Sequence, residues 1–139
     1  MKVYTAEIEL QTRGEVDIID ITQRVQDVVS ESGVRNGIAV VFAVGSTCAV
    51  TTMEYEPGLK KDIPAALERL FPKGIEYEHH KTWGDYNGHS HVRASFLKAD
   101  YTIPVVDSKL PLGTWQQLVF IELDTRPRRR RVIVQVMGE

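Results

Sequence analysis

The chain has 139 residues, 42% of them apolar and 26% charged, with 17 Lys and Arg against 19 Asp and Glu for a formal net charge of −2. That length holds one domain with a real core and excludes a nucleotide-binding domain plus a substrate domain, and equally a (β/α)₈ barrel. Near-neutral charge argues against a general nucleic-acid binder, and a single cysteine, Cys48, excludes an intrachain disulfide framework or a Cys-rich zinc finger. Nothing here needs an oxidising compartment. The first twenty residues carry charges every few positions in place of the apolar core of a signal peptide, and the longest apolar run, Ile38 to Val44, is only strand-length. The expectation is a soluble cytoplasmic protein with neither membrane nor nucleic acid as partner.

Val3 to Leu10 alternates, with Tyr4, Ala6, Ile8 and Leu10 on one face and Thr5, Glu7 and Glu9 on the other, the period of a half-buried strand. Gly14 marks a turn. Asp20 or Thr22 then caps a helix whose apolar stripe is Val25, Val28 and Val29 and whose stop signal is Gly33. Gly37 to Val44 is β-branched and apolar on both faces, the pattern of a central strand. Gly45 and Ser46 break it, and Cys48 to Glu54 resumes with strand composition.

Glu56 to Gly58 turns into a second helix, about Leu59 to Phe71, that Pro72 and Gly74 end. Pro64 inside it either occupies the first turn or kinks the helix. Residues 74 to 91 lose all periodicity, which reads as one long loop, and His91 to Lys98 fits a short helix or a strand equally. Tyr101 to Val106, Leu112 to Asp124 and Arg131 to Met137 read as antiparallel strands, with turns at Asp107 to Lys109 and Arg126 to Arg128. No repeat, linker or low-complexity tract interrupts the chain. The expected architecture is a single α+β domain over residues 1–139, mainly antiparallel sheet with two or three helices.

Three segments carry groups that do chemistry. The first, GIEYEHHKTWGDYNGHSH, gathers all four histidines, one of the two tryptophans and three glycines into eighteen positions. His89 and His91 share a face on a strand and diverge on a helix. On a strand, joined by His79 or His80 and by Glu54 or Asp85, they supply three ligands and an open position for zinc or another divalent ion; otherwise they are loop histidines bonded to backbone. The second, RPRRRR, puts five arginines in six positions, Arg126 and Arg128 to Arg131. Strand residues alternate faces, so all five cannot converge, and one or two are expected to reach a phosphate. In the third, GTWQQ, Trp115 and Gln116 on a strand point to opposite faces. Ser46 and Thr47, at the break after Gly45, are candidates for an anion site. Cys48 reads as a small buried hydrophobe rather than a nucleophile. No Walker-A, GxGxxG or HExxH sequence is present.

GSTCAVTTMEYEPG, YEHH, NGHSHVRASF, PVVDSKLPLGTWQQ and TRPRRRRVIVQVMGE, in this order, resemble the YjbQ-like family, whose members have no settled function and often carry the label secondary thiamine-phosphate synthase. The similarity runs from Tyr4 to Glu139. It implies an α+β domain that assembles as a trimer, and a weak activity joining a pyrimidine pyrophosphate to a thiazole phosphate. The family pattern matches at Glu54, His79, His91, Ser95, Thr114, Trp115, Gln116 and Arg128. It departs at Gly45, where many members open an HTT-type motif with histidine, and at Met53, Lys98 and Ser108.

Together these readings predict that Glu54, His79, His89 and His91 meet in one pocket near a subunit boundary, with His89 standing in for the histidine missing at position 45. Glu54, His79 and His91 are the expected catalytic residues, and His79, His89 and His91 the expected ligands of a zinc or magnesium ion. Ser46, Thr47, Ser95, Gln116 and Arg128 are expected to bind a small phosphorylated substrate. In thiamine-phosphate formation the metal would neutralise the leaving pyrophosphate and arginines would hold phosphates. Rival readings are a metal-dependent hydrolase, and a non-catalytic trimer that holds a metal or a phosphorylated metabolite.

Overall fold

A computed structural model describes all 139 residues. Seven strands and four helices follow in the order β1 (Lys2–Gln11), β2 (Asp17–Asp20), α1 (Thr22–Ser32), β3 (Gly37–Ala43), β4 (Cys48–Met53), α2 (Pro57–Leu70), α3 (Glu78–Trp83), α4 (Gly88–Leu97), β5 (Asp100–Val105), β6 (Gln117–Glu122) and β7 (Arg129–Gly138). The strands form two antiparallel sheets, β1-β7-β3-β5 and β2-β6-β4. The α+β class is as the sequence reads, with four helices in place of two or three.

The smaller sheet is covered on both faces, which explains why β6 (QLVFIE) is apolar at consecutive positions rather than alternating. Leu118 and Phe120 face the larger sheet, in a core shared with Ile8, Val41, Val134 and the α1 stripe Val25, Val28 and Val29. Val119 and Ile121 face the opposite way, against Leu67 of α2 and Ala94 of α4. The layers are therefore sheet, sheet and helices. The larger sheet has one inner face only. β3 is central in its sheet, but its outward side chains Ile38 and Phe42 remain 39% and 42% exposed.

Local chemistry sets the helix ends. Asp20 Oδ1 accepts from the Thr22 N–H and hydroxyl, and Gly33 ends α1 at φ 71°. Glu56 caps α2 by accepting from the Gly58 and Leu59 N–H groups, and Pro57 occupies the first turn. Pro64 lies farther along, inside the helix. The histidine-rich stretch is two helices rather than a loop, α3 and α4, with Tyr86 and Asn87 in the bend between them. GTWQQ is not strand: the Gln116 N–H closes a turn on Gly113 O, and β6 starts only at Gln117. No helix is long and apolar enough to cross a membrane.

Candidate functional site

Three chain reversals meet at one corner of the two sheets and enclose a pocket of about 540 Å³, a volume typical of metabolite sites. The β3–β4 turn supplies Gly45, Ser46 and Thr47; the α3–α4 bend supplies Asp85 and Asn87, and α4 supplies His91. The β6–β7 turn contributes Asp124, Thr125, Arg126 and Arg128, and β7 adds Arg130. No aliphatic or aromatic hydrocarbon side chain lines it.

Strand alternation applies to Arg129, Arg130 and Arg131 of β7, while Arg126 and Arg128 reach in from the turn before it. Arg126, Arg128 and Arg130 face the pocket, whereas Arg129 and Arg131 pair with Glu9 and Glu7 on the outer face of the larger sheet, each at 2.8 Å. Three arginines thus reach the site, against the one or two expected. Arg130 is 4% exposed and bridges the sheets. Its Nε donates to Glu122 Oε1 at 2.8 Å, and its Nη2 to Glu122 Oε2 at 2.5 Å and Thr47 Oγ1 at 2.8 Å. Glu122 also accepts from Thr12 Oγ1 and the Asp124 N–H. Beside it, Asp124 accepts from Thr47 Oγ1, Asn87 Nδ2, the Thr125 N–H and Arg128 Nη1. Burial pushes the Asp124 carboxyl up, but these donors outweigh it and hold it below the usual aspartate range. Both carboxylates are already saturated with donors. The guanidinium groups keep spare ones: Arg130 Nη1 and most of Arg128 are uncommitted, and Arg126 joins no ion pair.

His91 enters the pocket from α4 with its ring 4.3 Å from that of His79. Burial, reinforced by the neighbouring His79, lowers its pKa below the ordinary imidazole value, so the ring is neutral near pH 7. His79 Nδ1 lies 3.5 Å from Asp85 Oδ1 and, like Asn87 Oδ1, is a buried polar atom without a hydrogen-bond partner.

Ser46, Thr47, His91 and Arg128 come together as the sequence suggests, although the Thr47 hydroxyl is spent between Asp124 and Arg130 and serves as a bracket. The other expected members lie elsewhere. His89 sits two residues from His91 on a helix, so the two rings diverge. It is 1% exposed, bonded to Glu15 Oε2 at 2.7 Å, and does not stand in for the histidine missing at position 45. Glu54 lines a separate pocket with Asp20, Tyr55 and Trp115, which shares no residue with the first. Gln116 latches its own turn, accepting from the Gly113 N–H and donating to Thr52 Oγ1. Ser95 donates to His91 O within α4 and borders a neighbouring hollow that shares Gly45 and Ser46. The quartet of Glu54 and three histidines is thus not assembled within one chain, and no group of three His, Cys, Asp or Glu side chains converges to hold a metal ion.

Asn87, Asp124 and Thr125 are site residues that the sequence reading does not single out, and Arg126 and Arg130 are ones it names only as members of the run. The basic turn marks Arg126 and Arg128, and alternation from Arg129 to Arg131 marks Arg130; nothing comparable marks Asn87. Cys48 is buried, and that burial raises its thiol pKa, as expected for an inert cysteine.

The UPF0047 YjbQ-like family matches residues 6–139. A UPF0047 protein of Methanothermobacter thermautotrophicus is 44% identical over 139 residues, covering 100% of this chain and 95% of its own length. The UPF0047 protein YugU of Bacillus subtilis is 30% identical, covering 94% of this chain and 97% of its own. Among solved structures, a YbjQ-like protein of unknown function from Sulfolobus solfataricus superposes with a TM-score of 0.94 at 36% identity, with 99% of each chain covered. A hypothetical protein from Aeropyrum pernix gives 0.89 at 33% identity, with 97% of this chain and 98% of that one covered. In sequence and in fold over nearly its whole length, the chain belongs to the YjbQ-like UPF0047 family.

Proposed function

We propose that the pocket binds a small phosphorylated metabolite. The observation that carries this reading is the inequality between charges in its wall: the carboxylates of Glu122 and Asp124 are saturated, while three guanidinium groups retain unused N–H donors. Arginine donors in a fixed fork suit phosphate oxygens. The Ser46 hydroxyl adds a further donor at the mouth. A hydrolysis of the bound metabolite would use the neutral His91 to accept the proton of the attacking water; the thiamine-phosphate reaction that the family resemblance implies is a transfer in which the thiazole nitrogen attacks as pyrophosphate leaves, and it needs no proton acceptor. Calorimetric titration with inorganic phosphate tests the reading. Binding is expected, weakened about tenfold by Arg126→Ala, the loss of one charge-assisted contact. No heat of binding to the folded protein would overturn it.

A divalent ion, zinc or magnesium, is the second reading. The two adjacent imidazoles and the unpaired His79 Nδ1 favour it, and the lack of a third converging donor opposes it. Metal content of untagged protein beside His91→Ala decides: one ion per chain lost in the variant supports it, and no ion in either sample removes it.

We also propose a homotrimer. Support comes from the outer face of the larger sheet, where Val3, Met137, Ile38 and Pro104 lie across one row of the register and Phe42 beside Ile133. Rows of this kind on an open sheet face are apolar surface without a partner. Light scattering is expected to give three times the 15.7 kDa chain mass, and Phe42→Arg to give monomer with unchanged circular dichroism. A monomeric wild type would contradict the proposal.

A further inference from the structure

We infer that the ligand of this pocket is a phosphorylated polyhydroxy compound, a sugar or polyol phosphate, rather than a phosphorylated heteroaromatic one. The inference rests on the phosphate reading above and takes it further through the polar atoms that the protein leaves unpaired; it sets that reading against the thiamine-phosphate reaction, whose substrates are heteroaromatic phosphates.

The wall is divided by chemistry. On the β6–β7 side stand donors. Arg130 is clamped by Glu122 and Thr47, leaving Nη1 as its uncommitted end; that atom lies 2.7 Å from where a Cβ on Gly45 would stand. Gly45, at φ 145°, therefore leaves the guanidinium uncovered, and any side chain there would push against it. This side takes the phosphate.

On the α3–α4 side stands an acceptor in need of a donor. Asn87 is 9% exposed, its Nδ2 is committed to Asp124, and its Oδ1 has no partner. A buried acceptor left unpaired is unfavourable, and a phosphate oxygen, being itself an acceptor, cannot relieve it. A ligand hydroxyl can. Neutral His91 on the same wall offers a second ring nitrogen to a hydroxyl proton. An aromatic ring finds guanidinium planes and the His91 imidazole to stack on but no hydrocarbon, because no apolar side chain lines the pocket, whereas sites that bind heteroaromatic ligands surround them with it. Phosphate at one end and hydroxyl groups at the other match both halves of the wall.

Calorimetry with inorganic phosphate, ribose 5-phosphate and pyridoxal 5′-phosphate, the last with a reducible-adduct control for lysine, separates the outcomes. The expected order is ribose 5-phosphate at least tenfold tighter than inorganic phosphate, with pyridoxal 5′-phosphate no tighter than phosphate. Asn87→Leu is expected to erase the advantage of the sugar while phosphate binding persists. Should that variant fail to fold, the Asn87 side-chain amide resonances of the wild type give the same information, moving with ribose 5-phosphate and not with phosphate. Equal affinity for phosphate and sugar phosphate, or tighter binding of the aromatic ligand outside lysine adducts, overturns the inference and leaves the phosphate pocket standing. Failure of all three to bind removes the phosphate reading itself.

Discussion

The start of β7 and the turn before it put the same residue type to opposite ends. Arg129 and Arg131 look outward and pair with Glu9 and Glu7 in water; Arg126, Arg128 and Arg130 look inward onto an all-polar pocket. Outside, an ion pair exchanges hydration for a screened contact and changes little. Inside, Arg130 and Glu122 are 4% and 0% exposed, so each charge is tolerable only because the other is there. Alternation along β7, together with the turn that leads into it, thus divides a run of arginines into solvated residues and a fixed electrostatic wall.

The largest expected effect breaks that division directly. Arg130→Met leaves Glu122 buried beside Thr12 without its cation and is expected to lower unfolding free energy by about 3–5 kcal/mol, measured by urea denaturation. Arg129→Ala, one residue away, is expected to leave the midpoint where it is. Equal effects of the two would refute the contrast. Next in size is His89→Ala, which removes a buried ring bonded to Glu15 and opens a void beneath α4; a loss of roughly 2–4 kcal/mol is expected from lost packing and an unpaired acceptor, with the pocket's phosphate affinity retained.

Acid sharpens the comparison further. Asp124 has a folded pKa below its ordinary value, so the stability it contributes is complete above that ordinary value and is lost as pH falls through the lower folded one. Asp124→Asn is therefore expected to flatten the decline of wild-type stability below about pH 4, followed by denaturation at stepped pH. An unchanged slope would show that the hydrogen bonds drawn to Asp124 do not favour its charged form. Smallest is a titration shift. Asp124 opposes the fall in the His91 pKa, so Asp124→Asn is expected to move that imidazole lower still by NMR; a rise would contradict the geometry.

How far the sequence is legible follows from where period and burial agree. β1 alternates because one face is core and the other water, and α1 ends at Gly33 as expected, although its N-cap is Ile21, without a side-chain cap, and Asp20 holds Thr22 from one residue before it. β3 was less informative: its double-sided apolar pattern marks a central strand, yet only its inner face is covered within the chain. α3 and α4 escape because their residues are polar and short-range periodicity has little apolar signal to act on; α3 has no buried residue at all. GTWQQ misleads because residues of strand preference precede β6 without pairing. Of the site, Ser46, Thr47, Arg128 and His91 were within reach, since a strand break, a basic turn and a histidine cluster are local signals. Asn87 and Asp124 were not, because their roles depend on a contact between segments far apart in the chain.

The central claim is that the inward arginines form an anion site. Arginine side-chain NMR during titration with inorganic phosphate tests it most directly, because all five guanidinium groups report in one experiment. The account predicts saturable shifts at Arg126, Arg128 and Arg130, with Arg129 and Arg131 still. Shifts confined to Arg129 and Arg131, or no saturable shift at any of the five, would contradict it.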